Sequence, residues 1–117
     1  MSQPFDSNTY RAIIIRHIDA DTTYARVHLG MDVSVNVTFR WAGINAPELK
    51  TDEGKAAAAA VNAWLPAGAR CDVQTTKDRR EKFGRYLGTF FTSGDPESLN
   101  DRLVRLGLAV AYDGGKR

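Results

Sequence analysis

From Val33 to Arg40 the chain alternates strictly: Val33, Val35, Val37 and Phe39 against Ser34, Asn36, Thr38 and Arg40. Side chains of a β-strand point by turns to its two faces, so a period of two marks a strand with one apolar side. The flanking sequence carries the same signal. Tyr10 to Ile18 contains the β-branched run Ile13-Ile14-Ile15, and Asp19-Ala20-Asp21 interrupts it with turn residues. Tyr24 to Leu29 resumes, with Ala25, Val27 and Leu29 on one face and Tyr24, Arg26 and His28 on the other. Gly30-Met31-Asp32 reads as a hairpin turn. Three strands joined this tightly predict an antiparallel meander.

A helix is expected next. Thr51 or Asp52 can cap it, Glu53 suits its positive N-terminus, and Ala56–Ala60 favours helix. Ala57, Val61, Trp64 and Leu65 share one face at helical spacing, and Pro66 and Gly68 end the element. Arg70 to Thr76 and Arg85 to Phe91 read as strands around a charged loop. Leu99 to Leu106 reads as a second helix with Ser98 as cap and Gly107 as stop, and Ala109 to Tyr112 as a short terminal strand. The order β-β-β-α-β-β-α predicts a mostly β (α+β) fold: a five-stranded OB-fold barrel with two helices. Its 117 residues suffice for one core, so residues 1–9 are expected as a tail and 10–117 as one domain.

Processing signals are few. The single cysteine, Cys71, cannot form an internal disulfide, and its place between Ala69 and Val73 reads as a buried, inert thiol. The N-terminus Met1-Ser2-Gln3-Pro4-Phe5-Asp6 has neither the basic nor the apolar region of a secretory signal, and no long apolar run suggests a membrane span. A cytoplasmic location is therefore expected, or secretion if an upstream segment has been removed; a monomer without a small-molecule cofactor is expected besides.

The net charge of +2 neither requires nor excludes a nucleic-acid partner. Its distribution says more. Residues 1–58 hold six basic and seven acidic residues, and residues 59–117 hold ten basic and seven acidic. Phosphodiester hydrolysis needs neutralisation of the phosphate, a carboxylate acting on water, and rigid donors for the charge that builds on phosphorus. Three clusters offer these. Asp19-Ala20-Asp21-Thr22 places two carboxylates where they can hold a hard cation, although turn formation alone explains them. Arg40-Trp41-Ala42-Gly43-Ile44-Asn45-Ala46-Pro47-Glu48 turns at Gly43 and stiffens at Pro47, projecting Asn45 and Glu48; a strand end with a solvated Glu48 reads equally well. Lys77-Asp78-Arg79-Arg80-Glu81-Lys82-Phe83-Gly84-Arg85 has five basic residues in nine. It is either a solvated hairpin loop or a phosphate-tracking one, with Arg85 able to grip phosphate bidentately.

These residues, in this order and on this skeleton, resemble the staphylococcal (micrococcal or thermo-) nuclease family. Asp19-Ala20-Asp21-Thr22, Arg40-x4-Asn45-Ala46-Pro47-Glu48, Phe83-Gly84-Arg85 and Leu103-Val104-x2-Gly107-Leu108-Ala109 carry the resemblance, over about residues 10–115. It implies an OB-fold barrel that hydrolyses DNA or RNA with calcium and leaves 3′-phosphate ends. By position it implies Asp21, Asn45 and the Ala46 carbonyl as calcium ligands, and Arg40 and Arg85 as phosphate-binding catalytic arginines. Glu48 becomes the glutamate acting on water, and Tyr112 a tyrosine near the base. With the resemblance, Lys77, Arg79, Arg80 and Lys82 become expected nucleic-acid contacts. Two positions depart from the pattern. Asn45 stands where a carboxylate is usual, which removes a charge and should weaken calcium binding. Phe83 replaces a tyrosine, which loses one hydroxyl contact to phosphate. The segment from Glu48 to the helix is also short, and the sequence stops before the family's third helix.

The rival reading is a family member that binds nucleic acid or protein without turnover, which Asn45 favours; the retained Asp21, Arg40, Glu48 and Arg85 oppose it. A generic single-strand-binding OB domain would instead use aromatics such as Tyr24, Tyr86 and Phe90.

Overall fold

The computed structural model describes residues 8–77 and 86–112. Strands β1 (Thr9–Asp19), β2 (Thr22–Gly30) and β3 (Val33–Trp41) form the expected meander, followed by the two-residue β4 (Ile44–Asn45) and helix α1 (Asp52–Trp64). Then come β5 (Arg70–Lys77), β6 (Tyr86–Phe91), helix α2 (Leu99–Arg105) and β7 (Val110–Ala111). Five strands close into a barrel in the order β1-β2-β3-β6-β5, with β5 antiparallel to β1. The β3–β6 contact is parallel, Phe39 opposite Tyr86 and Trp41 opposite Gly88. Among the described residues no helix is long and apolar enough to cross a membrane.

Inward positions of every barrel strand feed one core. Ile14, Ala25, Phe39, Trp41, Val73 and Phe90 are buried in it, and α1 adds Ala57, Val61 and Leu65. Phe39 meets Phe90 edge-on at 5.7 Å, and Trp41 stacks on Phe90 at 4.6 Å. Such ring pairs add ~1 kcal/mol beyond the area they bury. Cys71 lies in this core, and burial pushes its thiol up to about 12, the chemistry of an inert cysteine.

A polar chain that runs from the core to the half-buried His17 joins barrel and helix. The Trp41 indole N–H donates to the Thr23 hydroxyl at 2.8 Å. That hydroxyl contacts His17 Nδ1 at 2.8 Å, and His17 Nε2 reaches the Leu65 carbonyl, just past the end of α1, at 2.6 Å. A carbonyl only accepts, so Nε2 carries the proton and Nδ1 accepts from Thr23. On the other side, the buried Asn100 of α2 accepts from the Phe90 N–H at 3.0 Å and donates to the carbonyls of Ala42 (2.9 Å) and Gly88 (3.0 Å).

The caps are as the sequence suggests. Thr51 caps α1 by accepting from the Gly54 N–H, and Ser98 caps α2 by accepting from the Asp101 N–H. Two features differ. The alternating face of β2 and β3 is not buried throughout: Leu29, Val33 and Val35 are 49%, 53% and 43% exposed. Pairing of β2 with β1 ends at Val27 opposite Ala12, and pairing of β3 with β6 runs only over Phe39–Trp41, so this part of the hairpin extends past the strands that would cover it. The second feature is β4, which sequence reads as part of a bend. It pairs with β7, Ile44 opposite Ala111 and Asn45 opposite Val110. Two residues carry no periodicity, so only the distant partner defines them.

Candidate nuclease site

The site forms where β1 turns into β2 and β3 into β4. Gly43 has φ +77, a backbone state that costs a side-chain-bearing residue energy, and it swings the chain from β3 into β4. The Trp41 N–H donates to the Asp21 carbonyl at 2.9 Å, binding the two turns together. Arg40 alternates outward from Phe39 and Trp41 and is half-buried. Its Nη1 donates to the carbonyls of Trp41 at 3.0 Å and Ile44 at 3.1 Å, and its Nη2 donates to Asn45 Oδ1. The Tyr112 N–H donates to the Gly43 carbonyl at 2.8 Å, and the Tyr112 ring lies 5.5 Å from the Arg40 guanidinium carbon. The arginine is thus fixed by backbone carbonyls and a ring face.

Asp21 lies beside it. Its Oδ2 accepts from the Ala46 N–H at 3.1 Å, its Oδ1 faces the Thr22 hydroxyl at 3.5 Å, and its own N–H donates to Asp19 Oδ1 at 3.2 Å. Burial, then the neighbouring Asp19 carboxylate, raises the Asp21 carboxyl above its ordinary value, while the Ala46 N–H and Arg40 oppose the shift. A carboxyl held up by desolvation and a like charge is a group that a bound cation would relieve.

By donor type, the Asp21 carboxylate and the Asn45 amide oxygen are groups that can hold a hard cation, and Ala46, whose N–H donates to Asp21, also carries a backbone carbonyl. Arg40 occupies one lone pair of Asn45 Oδ1, and an amide oxygen keeps a second for a cation. Among the described residues no group of three or more His, Cys, Asp or Glu clusters as for a metal.

The other expected residues fall as follows. Glu48 follows the same bend, but its side chain is 74% exposed and its Oε1 lies 3.6 Å from Lys50 Nζ. Its backbone is fixed: the Glu48 carbonyl accepts from the Thr51 hydroxyl at 2.6 Å and the Thr51 N–H at 3.0 Å. Gly54 packs against that carbonyl so closely that a Cβ would come within 1.8 Å of it. Lys77 ends β5, its Cα opposite Tyr86, and Arg79, Arg80, Lys82 and Arg85 lie outside the described residues. Sequence reasoning missed Asn100, whose signal was a polar residue on the apolar stripe of Leu99 and Leu103.

The closed barrel with two helices defines an OB-fold-like α+β domain, with an arginine and hard oxygen donors at adjoining strand ends. Residues 38–117 match the family described as staphylococcal nuclease homologue (SNase), and the chain belongs to that family. The match takes in Arg40, Asn45, Ala46 and Glu48, while Asp21 precedes it. Comparison with curated proteins gives no match.

Proposed function

We propose that the chain is a calcium-dependent nuclease that hydrolyses phosphodiester bonds of DNA or RNA by attack of water on phosphorus. The observation that carries this reading is the convergence of Asp21, Arg40, Asn45 and Ala46 at two tied turns, joined by the Asp21–Ala46 and Arg40–Asn45 hydrogen bonds. Asp21, Asn45 and the Ala46 carbonyl would hold calcium, which when bound supplies positive charge to a phosphate oxygen. Arg40 already spends Nη1 on two carbonyls, so its orientation is set before substrate arrives, which is what electrostatic preorganisation requires. Arg85 is the proposed second phosphate ligand. Glu48 is the proposed group that orients water, and its exposed carboxylate must leave Lys50 and turn towards the phosphate to do so. General-base help of this kind contributes roughly 10²–10⁴-fold.

The test is incubation of the chain with single-stranded DNA, duplex DNA and RNA, with calcium or with chelator. Cleavage in calcium alone is the expected result, and intact substrate under every cation refutes it. A binding domain without turnover is the second reading, favoured by the Glu48–Lys50 pairing and by the neutral Asn45. Retention of nucleic acid without cleavage in the same experiment would establish it.

A further inference from the structure

The outer wall of the barrel carries a second cationic surface away from Asp21. Outward positions of β1 and β5 place Arg11 opposite Asp72 and Ile13 opposite Arg70. With Thr9 and His28 they line an open groove of about 660 Å³. Arg11, His28 and Arg70 are exposed, and among the described residues Asp72 is the one carboxylate lining the groove. Among the described residues no ion pair joins Asp72 to Arg11 or Arg70, so both guanidinium groups keep their donors for a ligand.

The wall between this groove and Arg40 is also polar and basic. Thr22 pairs with Arg40, Tyr24 with Thr38, Arg26 with Asn36 and His28 with Ser34. Arg26 Nε donates to Asn36 Oδ1 at 3.3 Å, and the Arg16 guanidinium carbon lies 6.0 Å from the Tyr24 ring centroid. Six residue steps along β2 lead from Thr22 to His28, about 20 Å of strand. OB-fold domains engage about 4–16 nucleotides, so one strand of nucleic acid can cover that distance.

We propose that this groove is a second phosphate-binding site, taking the backbone of a single strand whose scissile phosphate lies at Arg40. The proposal rests on the reading that the chain acts on nucleic acid. Charge selects the occupant: two guanidinium forks that no carboxylate among the described residues ion-pairs match the oxygens of a phosphodiester. Arg11 and Arg70 then add affinity for long substrates and nothing for short ones.

The test is anisotropy of labelled oligothymidylates, about 3 and about 16 nucleotides long, in chelator over a salt series. Without metal no cleavage intrudes, so binding is read apart from activity. For Arg11→Gln/Arg70→Gln the salt slope of the longer oligomer should fall by about 1.4, from ~0.7 for each of two lost single-strand phosphate contacts. The shorter oligomer should bind as to the parent chain. Lys55→Gln, on the exposed face of α1, should leave both unchanged. An unchanged slope in the double variant, or an equal loss in Lys55→Gln, overturns the groove whatever the calcium assay shows. Failure of the parent chain to bind the longer oligomer also overturns it. A reduced slope together with no cleavage in calcium keeps the groove and refutes the nuclease.

Discussion

Replacing Thr23 by valine removes one hydroxyl and almost no volume, at a position with no exposure. That hydroxyl is the acceptor for the Trp41 indole N–H at 2.8 Å and the donor to His17 Nδ1 at 2.8 Å. Trp41 is fully buried, so its N–H has no water to turn to and becomes an orphan, at a cost of about 1–3 kcal/mol. His17 is half-buried and loses one neutral hydrogen bond, about 1 kcal/mol more. The sum, about 2–4 kcal/mol, is a large part of a small domain's ~5–15 kcal/mol. At about 4–6 °C per kcal/mol for a chain of this length, the melting temperature should fall by roughly 10–20 °C. Urea unfolding followed by tryptophan fluorescence measures the change, with an unaltered m-value. The same substitution in a Trp41→Phe background should cost at least about 1 kcal/mol less, because no indole remains to be orphaned. A Thr23→Val chain within ~0.5 kcal/mol of the parent would refute the network as a source of stability.

The same chain of bonds sets a pH dependence. Burial lowers the His17 pKa below 6.5, and the Leu65 carbonyl partly offsets this. The folded state therefore holds the neutral ring, and the unfolded chain takes up a proton first as pH falls. Stability is full above 6.5 and is lost as pH falls towards the folded value. His17→Gln should remove that limb of the stability–pH curve, and a curve equally steep in both chains would refute the assignment.

Asp21 behaves oppositely. Its pKa is raised, so its stabilising contribution is present below 3.8 and is lost as pH rises through the folded value. Asp21→Asn should thus raise the urea midpoint at neutral pH in chelator while abolishing calcium-dependent cleavage; an unchanged or lower midpoint would contradict the stated burial. Asn100→Ala breaks three hydrogen bonds, two of them buried, and should cost about 3 kcal/mol by the same measurement. Gly54→Ala would gain ~1 kcal/mol in helix propensity elsewhere, but here the Cβ meets the Glu48 carbonyl at 1.8 Å. It should lower both stability and cleavage, and a stabilised, fully active variant would show that the Glu48 segment is free to move. Glu48→Gln should reduce cleavage at least about 10²-fold without altering the urea midpoint.

What the sequence made legible divides by range. Period-two alternation fixes β3 because each residue of a strand reports its own face, and the helix caps read correctly because Thr51 and Ser98 act on amides three residues away. Arg40, Asn45 and Ala46 are also local: one bend carries all three. The partners of that bend are not. Asp21 reaches the Ala46 N–H across 25 positions, Asn100 reaches Ala42 across 58, and Tyr112 ties back to Gly43. No periodicity encodes such pairs, because they exist only once β1, β2 and β6 have closed around Trp41. The exposed Leu29, Val33 and Val35 follow the same logic in reverse. Alternation says which way a side chain points, and only barrel closure says whether anything is there to cover it. The site is in part a product of closure: Ile44 and Asn45 meet Arg40 from its own bend, whereas Tyr112 reaches it from the segment that β7 pairs to β4. A change that loosens the β4–β7 pair should therefore disturb the arginine before it disturbs the barrel.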